Sequence, residues 1–212
     1  IGAFGSILLS LALAVLYYQQ YNLLKIERTP SLEISVSEIY EDELILNVSN
    51  YKEGLAKNLR LRTTVEYPLY ESVNMASDTR NSNSVERFSL EHNIHRYEDG
   101  EKLRERGLMG SERNVEFRGE PPFTDPNGNG FGNFKSGVGN ALKDGIYEFN
   151  FWVDLVYETE FGEELTLPVT RPGRWFKIEP ERGKELINRR PNEITYEVVY
   201  NHSALTASRL ED

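Results

Sequence analysis

From Ile1 to Leu24 the chain carries no charged side chain, and its first charge is Lys25. No other feature limits the fold so strongly. At about 1.5 Å rise per residue, a helix of this length reaches across the roughly 30 Å hydrocarbon core of a bilayer. Tyr17, Tyr18 and Tyr21 cluster where the apolar run meets Gln19, Gln20 and Asn22, the depth at which amphipathic rings settle between lipid and water. Lys25 and Arg28 follow, at headgroup level. Pro30 and the restriction it places on Thr29 end the helix there. Residues 1–29 are therefore expected to form a single-pass anchor whose partner is a lipid bilayer. The alternative is a secretory signal peptide, for which Ala12-Leu13-Ala14 offers a small-x-small cleavage site. The run stays apolar past that point, which fits an anchor at a processed N-terminus better. Lys25 and Arg28 cast a positive-inside vote for a cytoplasmic domain.

Gly2, Ser6, Ser10 and Ala14 recur every four residues along this helix. Small side chains in a stripe let a second backbone approach closely, as helices do when they associate in lipid. The stripe is expected to pack on a partner helix or on a second copy of the chain; small residues scattered by chance in a membrane helix would look the same.

After Pro30 the apolar period changes to two. Leu32, Ile34 and Val36 alternate with Glu33, Ser35 and Ser37; Leu44, Leu46 and Val48 repeat the pattern, as do Leu59, Leu61, Thr63 and Val65. A later block resumes it with Phe149, Phe151, Val153, Leu155 and Tyr157, a turn at Phe161-Gly162, and Leu165, Leu167 and Val169. Trp175 and Phe176 follow, and a last strand is expected near Ile194 to Tyr200. Such alternation puts one face of each strand on a core and the other in water. The fold class is mainly β: an antiparallel β-sandwich over 30–200, behind the helix, with a C-terminal tail at 201–212.

Between the two strand blocks, residues 70–144 are polar and rich in Gly and Asn. They read as a long loop-rich insertion with weak strands near Val85 to Leu90 and Asn114 to Arg118, and a short helix over Glu101 to Arg106. A second short helix is expected over Glu181 to Arg190. Excursions of this length are commonly contact surfaces, so 70–144 and the anchor helix are the two regions expected to meet other membrane or assembly proteins. A decorated loop without a partner fits the same composition.

The segment from Asn50 to Asn58, lying between two strands, resembles the N-x-G-x-G-P-A-x-N turn of a group of prokaryotic membrane-anchored proteins in which one N-terminal helix leads into an immunoglobulin-like sandwich. Asn50, Gly54, Ala56 and Asn58 carry the match, and Leu55 stands where the group has Pro. Tyr147 through Gly162 resembles the group's later strand and acidic turn. The resemblance implies an immunoglobulin-like fold and an anchor; it implies no reaction. The residues themselves suggest turn roles, with Gly54 taking a positive φ and Asn50 and Asn58 bonding turn backbone.

The formal charge of -10 repels a phosphate backbone and excludes nucleic acid as a partner. With no Cys, thiolate catalysis, disulfides and Cys-based zinc sites are excluded too. His92 and His95, near Glu91 and Glu98, place two imidazoles close in sequence, with His202 as the remaining imidazole. Asp125, Asn127 and Asn129 form the D-x-N-x-N-G opening of a calcium loop, closed by Gly130. Position twelve is Ser136, so the bidentate carboxylate of an EF-hand is missing; the residues suit a looser Ca²⁺ site or a plain Asn/Gly turn. No triad, nucleophile elbow or marked carboxylate pair is present, and the expectation is a non-enzymatic structural or interaction subunit of a membrane complex or membrane-containing virion, with no cofactor beyond that Ca²⁺ and with homo-oligomerisation open to it. Two other layouts share these features: a pilin-like filament subunit, although Gly5 occupies the position where bacterial pilins commonly carry Glu, and an extracytoplasmic ligand- or calcium-binding module.

Overall fold

The computed structural model describes residues 2–40, 43–68, 85–107, 109–124, 130–131, 134–170 and 175–177, together with 181, 184, 185 and 188. The elements run in chain order as helix α1 (Gly2–Arg28), strands β1 (Leu32–Tyr40), β2 (Glu43–Asn50), β3 (Ala56–Pro68), β4 (Val85–Asn93), β5 (His95–Glu98), β6 (Glu101–Arg106), β7 (Val115–Gly119), β8 (Phe123–Thr124) and β9 (Gly130–Phe131), helix α2 (Phe134–Lys143), and strands β10 (Glu148–Thr159), β11 (Glu164–Pro168) and β12 (Trp175–Lys177).

The uncharged run forms α1 without interruption, and Thr29 Oγ donates to the Lys25 carbonyl at 2.6 Å just before Pro30 stops the helix. The period-two segments form two antiparallel sheets. One has the order β1-β2-β7-β5-β6; the other has the order β11-β10-β3-β4, with β12 also paired to β10. Their facing sides share one core. Leu44, Leu46 and Val48 of β2, with Val115 and Phe117 of β7, meet Leu59, Leu61 and Val65 of β3 and Phe151, Val153 and Leu155 of β10.

One end of this core is aromatic. Phe123 meets Phe149 edge-on at 5.8 Å and Phe151 at 5.9 Å, and the buried Tyr67 hydroxyl donates to the Thr124 carbonyl at 2.7 Å. Helix α2 closes that end: a Cβ on its Gly137 would lie 2.3 Å from the Phe123 ring, so only glycine allows the approach.

The alternating positions of β2, β3 and β10 are buried as the pattern requires. Three expectations change. Residues 70–144 are not a loop-rich insertion throughout, since they supply β4 to β9 and α2, with β5, β6 and β7 in the first sheet and β4 in the second. Glu101–Arg106 is a strand, not a helix. Asp99 and Gly100, at φ 50° and 83°, make a two-residue turn that folds it back on β5, with Glu98 opposite Glu101. Val36 is 38% exposed, on the edge strand β1 at the last pair before its register with β2 shifts. The expected strand at 194–200 and the tail at 201–212 lie outside the described residues, as does most of the expected helix at 181–190.

Candidate functional site: the joint between helix and sandwich

Helix α1 leaves the sandwich through a joint built on Asn50. This side chain is 1% exposed, so its amide must find all its partners inside the protein. Its Oδ1 accepts from Ser31 N at 3.0 Å and Lys52 N at 3.2 Å; its Nδ2 donates to the Gly54 carbonyl at 2.6 Å and the Gly110 carbonyl at 3.0 Å. One side chain thereby ties Ser31, just past Pro30, to the 51–54 turn and the 110–112 segment. The backbone reinforces it, with Asn50 N donating to Glu112 O and Tyr51 N to Ser31 O.

Gly54 sits against the helix terminus. A Cβ there would fall 1.8 Å from the Arg28 carbonyl oxygen and 2.8 Å from Pro30 N. The glycine is needed for space, not for a positive φ, which corrects the expectation for this residue. The positive φ of the motif belongs to Asn58, at 52°. There the β3–β10 register shifts, Val156 facing Arg60 while Glu158 faces Lys57, so β3 bulges and Asn58 takes the left-handed conformation that Asn tolerates. Its side chain donates to Glu158 at 2.9 Å rather than to turn backbone. Ala56 is fully buried and forms an antiparallel bridge with Met109.

The turn between β10 and β11 holds the other side of the joint. Gly162, at φ 77°, and the Thr159 hydroxyl, accepting from Phe161 N and Glu163 N, shape it. Phe161 meets Tyr21 edge-on at 5.8 Å, Lys25 pairs with Glu163 at 2.5 Å, and Arg28 with Glu160 at 3.7 Å. Lys52 Nζ donates to the Ile26 carbonyl at 3.4 Å. Of the residues expected at a membrane interface, Tyr21, Lys25 and Arg28 thus also grip the sandwich, while Tyr17 and Tyr18 are exposed. Exposed ion pairs contribute little each; the buried Asn50 network outweighs them.

Above the joint, Ser6, Ser10 and Ala14 are exposed. Ser10 Oγ donates to the Ser6 carbonyl at 2.9 Å, and Gly2 is the first residue of α1. The window Ser6–Arg28 is long and apolar enough to cross a membrane, and none of it is buried.

His92 and His95 do not converge. The chain crosses from one sheet to the other at the buried Ile94, so His92 ends up on β4, opposite Leu61, and His95 on β5, opposite Arg106 and Arg118. Asp125, Asn127 and Asn129 lie outside the described residues. Among the described residues no group of three His, Asp or Glu is placed to hold a metal ion.

Two polar constellations had no sequence forecast. On the outer face of the second sheet, Arg60 and Arg62 of β3 both bond Glu91 of β4 and Glu164 of β11, and Arg60 also reaches Glu158 of β10 at 3.3 Å. Partial burial opposes the Glu91 charge, but hydrogen bonds from Arg62 and Arg60 outweigh it and hold this carboxyl below its ordinary range. On the first sheet, a groove of about 670 Å³ is lined by residues 96–100 and 112–116, where Arg96 pairs with Glu112 at 2.7 Å and Glu98 at 2.5 Å. Arg96 Nε is left buried without a hydrogen-bond partner, and the groove lining presents no nucleophile with an adjacent base. The alternation Arg60-x-Arg62 on an outward strand face was the available sequence signal for the first of these.

No family model matches the chain, and no curated protein matches it. Among solved structures, an X-ray structure described as a Northeast Structural Genomics Consortium target aligns at 10% identity over 69% of this chain and 85% of that chain, with a TM-score of 0.24. A superposition that loose carries no argument about fold or function.

Proposed function

We propose that this protein is a non-enzymatic, single-pass membrane-anchored structural or interaction subunit, in which α1 lies in a bilayer and the two-sheet domain, immunoglobulin-like in the loose sense of a sandwich behind an anchor, meets other proteins of an assembly. The observation that carries the reading is the bare apolar helix. Ile7, Leu8, Leu9 and Leu11 are all at least 60% exposed, and leaving such side chains in water costs about 1.5–3 kcal/mol each. A lipid phase removes that cost.

The test is flotation. The intact chain, reconstituted with lipid, is expected to float with vesicles and to resist extraction at high pH. Recovery of the folded chain in the aqueous fraction defeats the proposal. The same exposed helix suits the core of a pilin-like filament, where packed helices replace lipid; electron microscopy of native material separates filaments from discrete complexes.

A further inference from the structure

Sheet edges offer unpaired backbone N–H and C=O groups, and proteins usually blunt them with bulges, Pro or short length. Three edges here follow that rule. β1 has its register break at Val36/Glu38, β6 pairs through a break between His95 and Tyr97, and β11 is five residues long and ends in Pro168. The short β12 has three residues.

β4 departs from it. It is nine residues long, pairs with β3 from Val85 to Asn93 without a register shift, and lies at the end of its sheet, with no other strand along its outer edge among the described residues. All of it is exposed except Phe88 and Leu90, which are half-buried.

Its sequence is complementary to itself when reversed about Ser89. In an antiparallel pair centred there, Phe88 faces Leu90, Arg87 faces Glu91 and Glu86 faces His92, each twice. Phe88 and Leu90 fall on the core side of the sheet, and Arg87, Ser89 and Glu91 on the outer side, as strand alternation demands. Arg87 keeps its intrachain partner Glu66 at 2.5 Å yet has a side chain 65% exposed, and Glu91 already belongs to the Arg60/Arg62 lattice. A second copy therefore extends an existing network of opposite charges instead of opposing like with like.

The geometry points to β4 as a dimerisation edge: two copies of this chain pair β4 to β4, antiparallel, with Ser89 on the two-fold axis, joining their second sheets into one. The pairing does not depend on the anchor reading. One consequence rests on it: β3 begins and β10 ends at the joint with α1, so antiparallel pairing sets the two joints at opposite ends of the joined sheet, the arrangement of subunits held on facing bilayers.

The chain has no Cys, so cross-linking gives a clean test. Residues directly opposite in an antiparallel pair have Cα atoms about 4.5–5.5 Å apart, within disulfide range. The full chain carrying Ser89→Cys, in detergent micelles under mild oxidation, is expected to run mainly as a disulfide-linked dimer on a non-reducing gel. Ser111→Cys, exposed on the other sheet's side of the molecule, is the control. Equal yields from the two variants, both folded by circular dichroism, overturn the proposal, because association through α1 alone gives no preference for position 89. Adding His92→Glu sets a second carboxylate opposite Glu86 on both sides of the axis and should lower the Ser89→Cys yield severalfold; adding Glu86→Lys as well should restore it. Failure of that restoration also overturns the stated register. Neither result depends on flotation, so the pairing and the anchor fail separately.

Discussion

Leu9 and Leu46 carry one side chain into opposite surroundings. Leu9, on α1, is 64% exposed, whereas Leu46, on β2, is 1% exposed between two sheets. Inside the sandwich apolar groups satisfy one another, and the sheets are closed by pairings between strands distant in sequence, β2 with β7 and β3 with β10. On α1 the leucines between Leu8 and Leu24 stay exposed among the described residues, and the helix holds its own backbone bonds, as a segment surrounded by lipid must. The joint at Asn50 and Gly54 is where these two regimes meet. The difference teaches that apolar content alone says nothing about where a side chain finds its solvent.

The comparison breaks first, and hardest, in the core. Phe117→Ala empties a fully buried site and should cost about 3–5 kcal/mol of domain stability by denaturant unfolding, while leaving flotation of the refolded chain unaltered. If flotation were lost at full folding, the two regions would not be independent. Next, Gly54→Ala drives a methyl into the Arg28 carbonyl; a shift there should cost about 1–3 kcal/mol and open the bond after Arg28 to trypsin, with the core still protected. Asn50→Ala leaves the Ser31, Gly54 and Gly110 groups without their shared partner and should cost about 2 kcal/mol, with the same cleavage. Melting of the core in step with cleavage would mean that joint and sandwich are one cooperative unit.

Acid supplies a smaller lever. The Glu91 carboxyl is held below its ordinary value of 4.5 in the folded chain, so its contribution is complete above that value and is lost as pH falls through the lowered folded one. The difference in melting temperature between the native chain and Glu91→Gln should therefore be full at neutral pH, shrink as pH falls below 4.5 and vanish only once the lowered folded value is passed; a difference unchanged in acid contradicts the assignment. The helix between Gly2 and Leu24 has no charge to titrate and should float alike at both pH values. The smallest effect belongs to Leu9→Ala, expected to change domain stability by less than about 0.5 kcal/mol and to weaken vesicle partition by about half a kcal/mol.

Much of the scaffold was legible in the residues. The charge-free run gives α1, Pro30 its end, and alternation the core faces of β2, β3 and β10. Elsewhere a local signal was present and outweighed. Asp99-Gly100 between short polar segments marks a hairpin, but the charged Glu101–Arg106 stretch has no apolar alternation, so its strand character comes from pairing with β5. Helix α2 has two glycines and little helix propensity, and it forms because Gly137 and Val138 fit against Phe123 and the neighbouring core. Of the candidate site, Asn50 and Gly54 were marked by the turn pattern, but their task was not.

What the sequence by itself determined is whatever repeats along the chain: a helix with a continuous apolar surface, and strands with one wet and one dry face. Periodicity is a local property, and hydration free energy acts on it residue by residue. Only the tertiary structure decided that Gly54 is required by the Arg28 carbonyl, that His92 and His95 part at Ile94, and that β4 lies at the end of its sheet with no strand beyond it among the described residues. These depend on which distant backbone arrives at a given point, and close approach is a relation between segments that no single segment encodes.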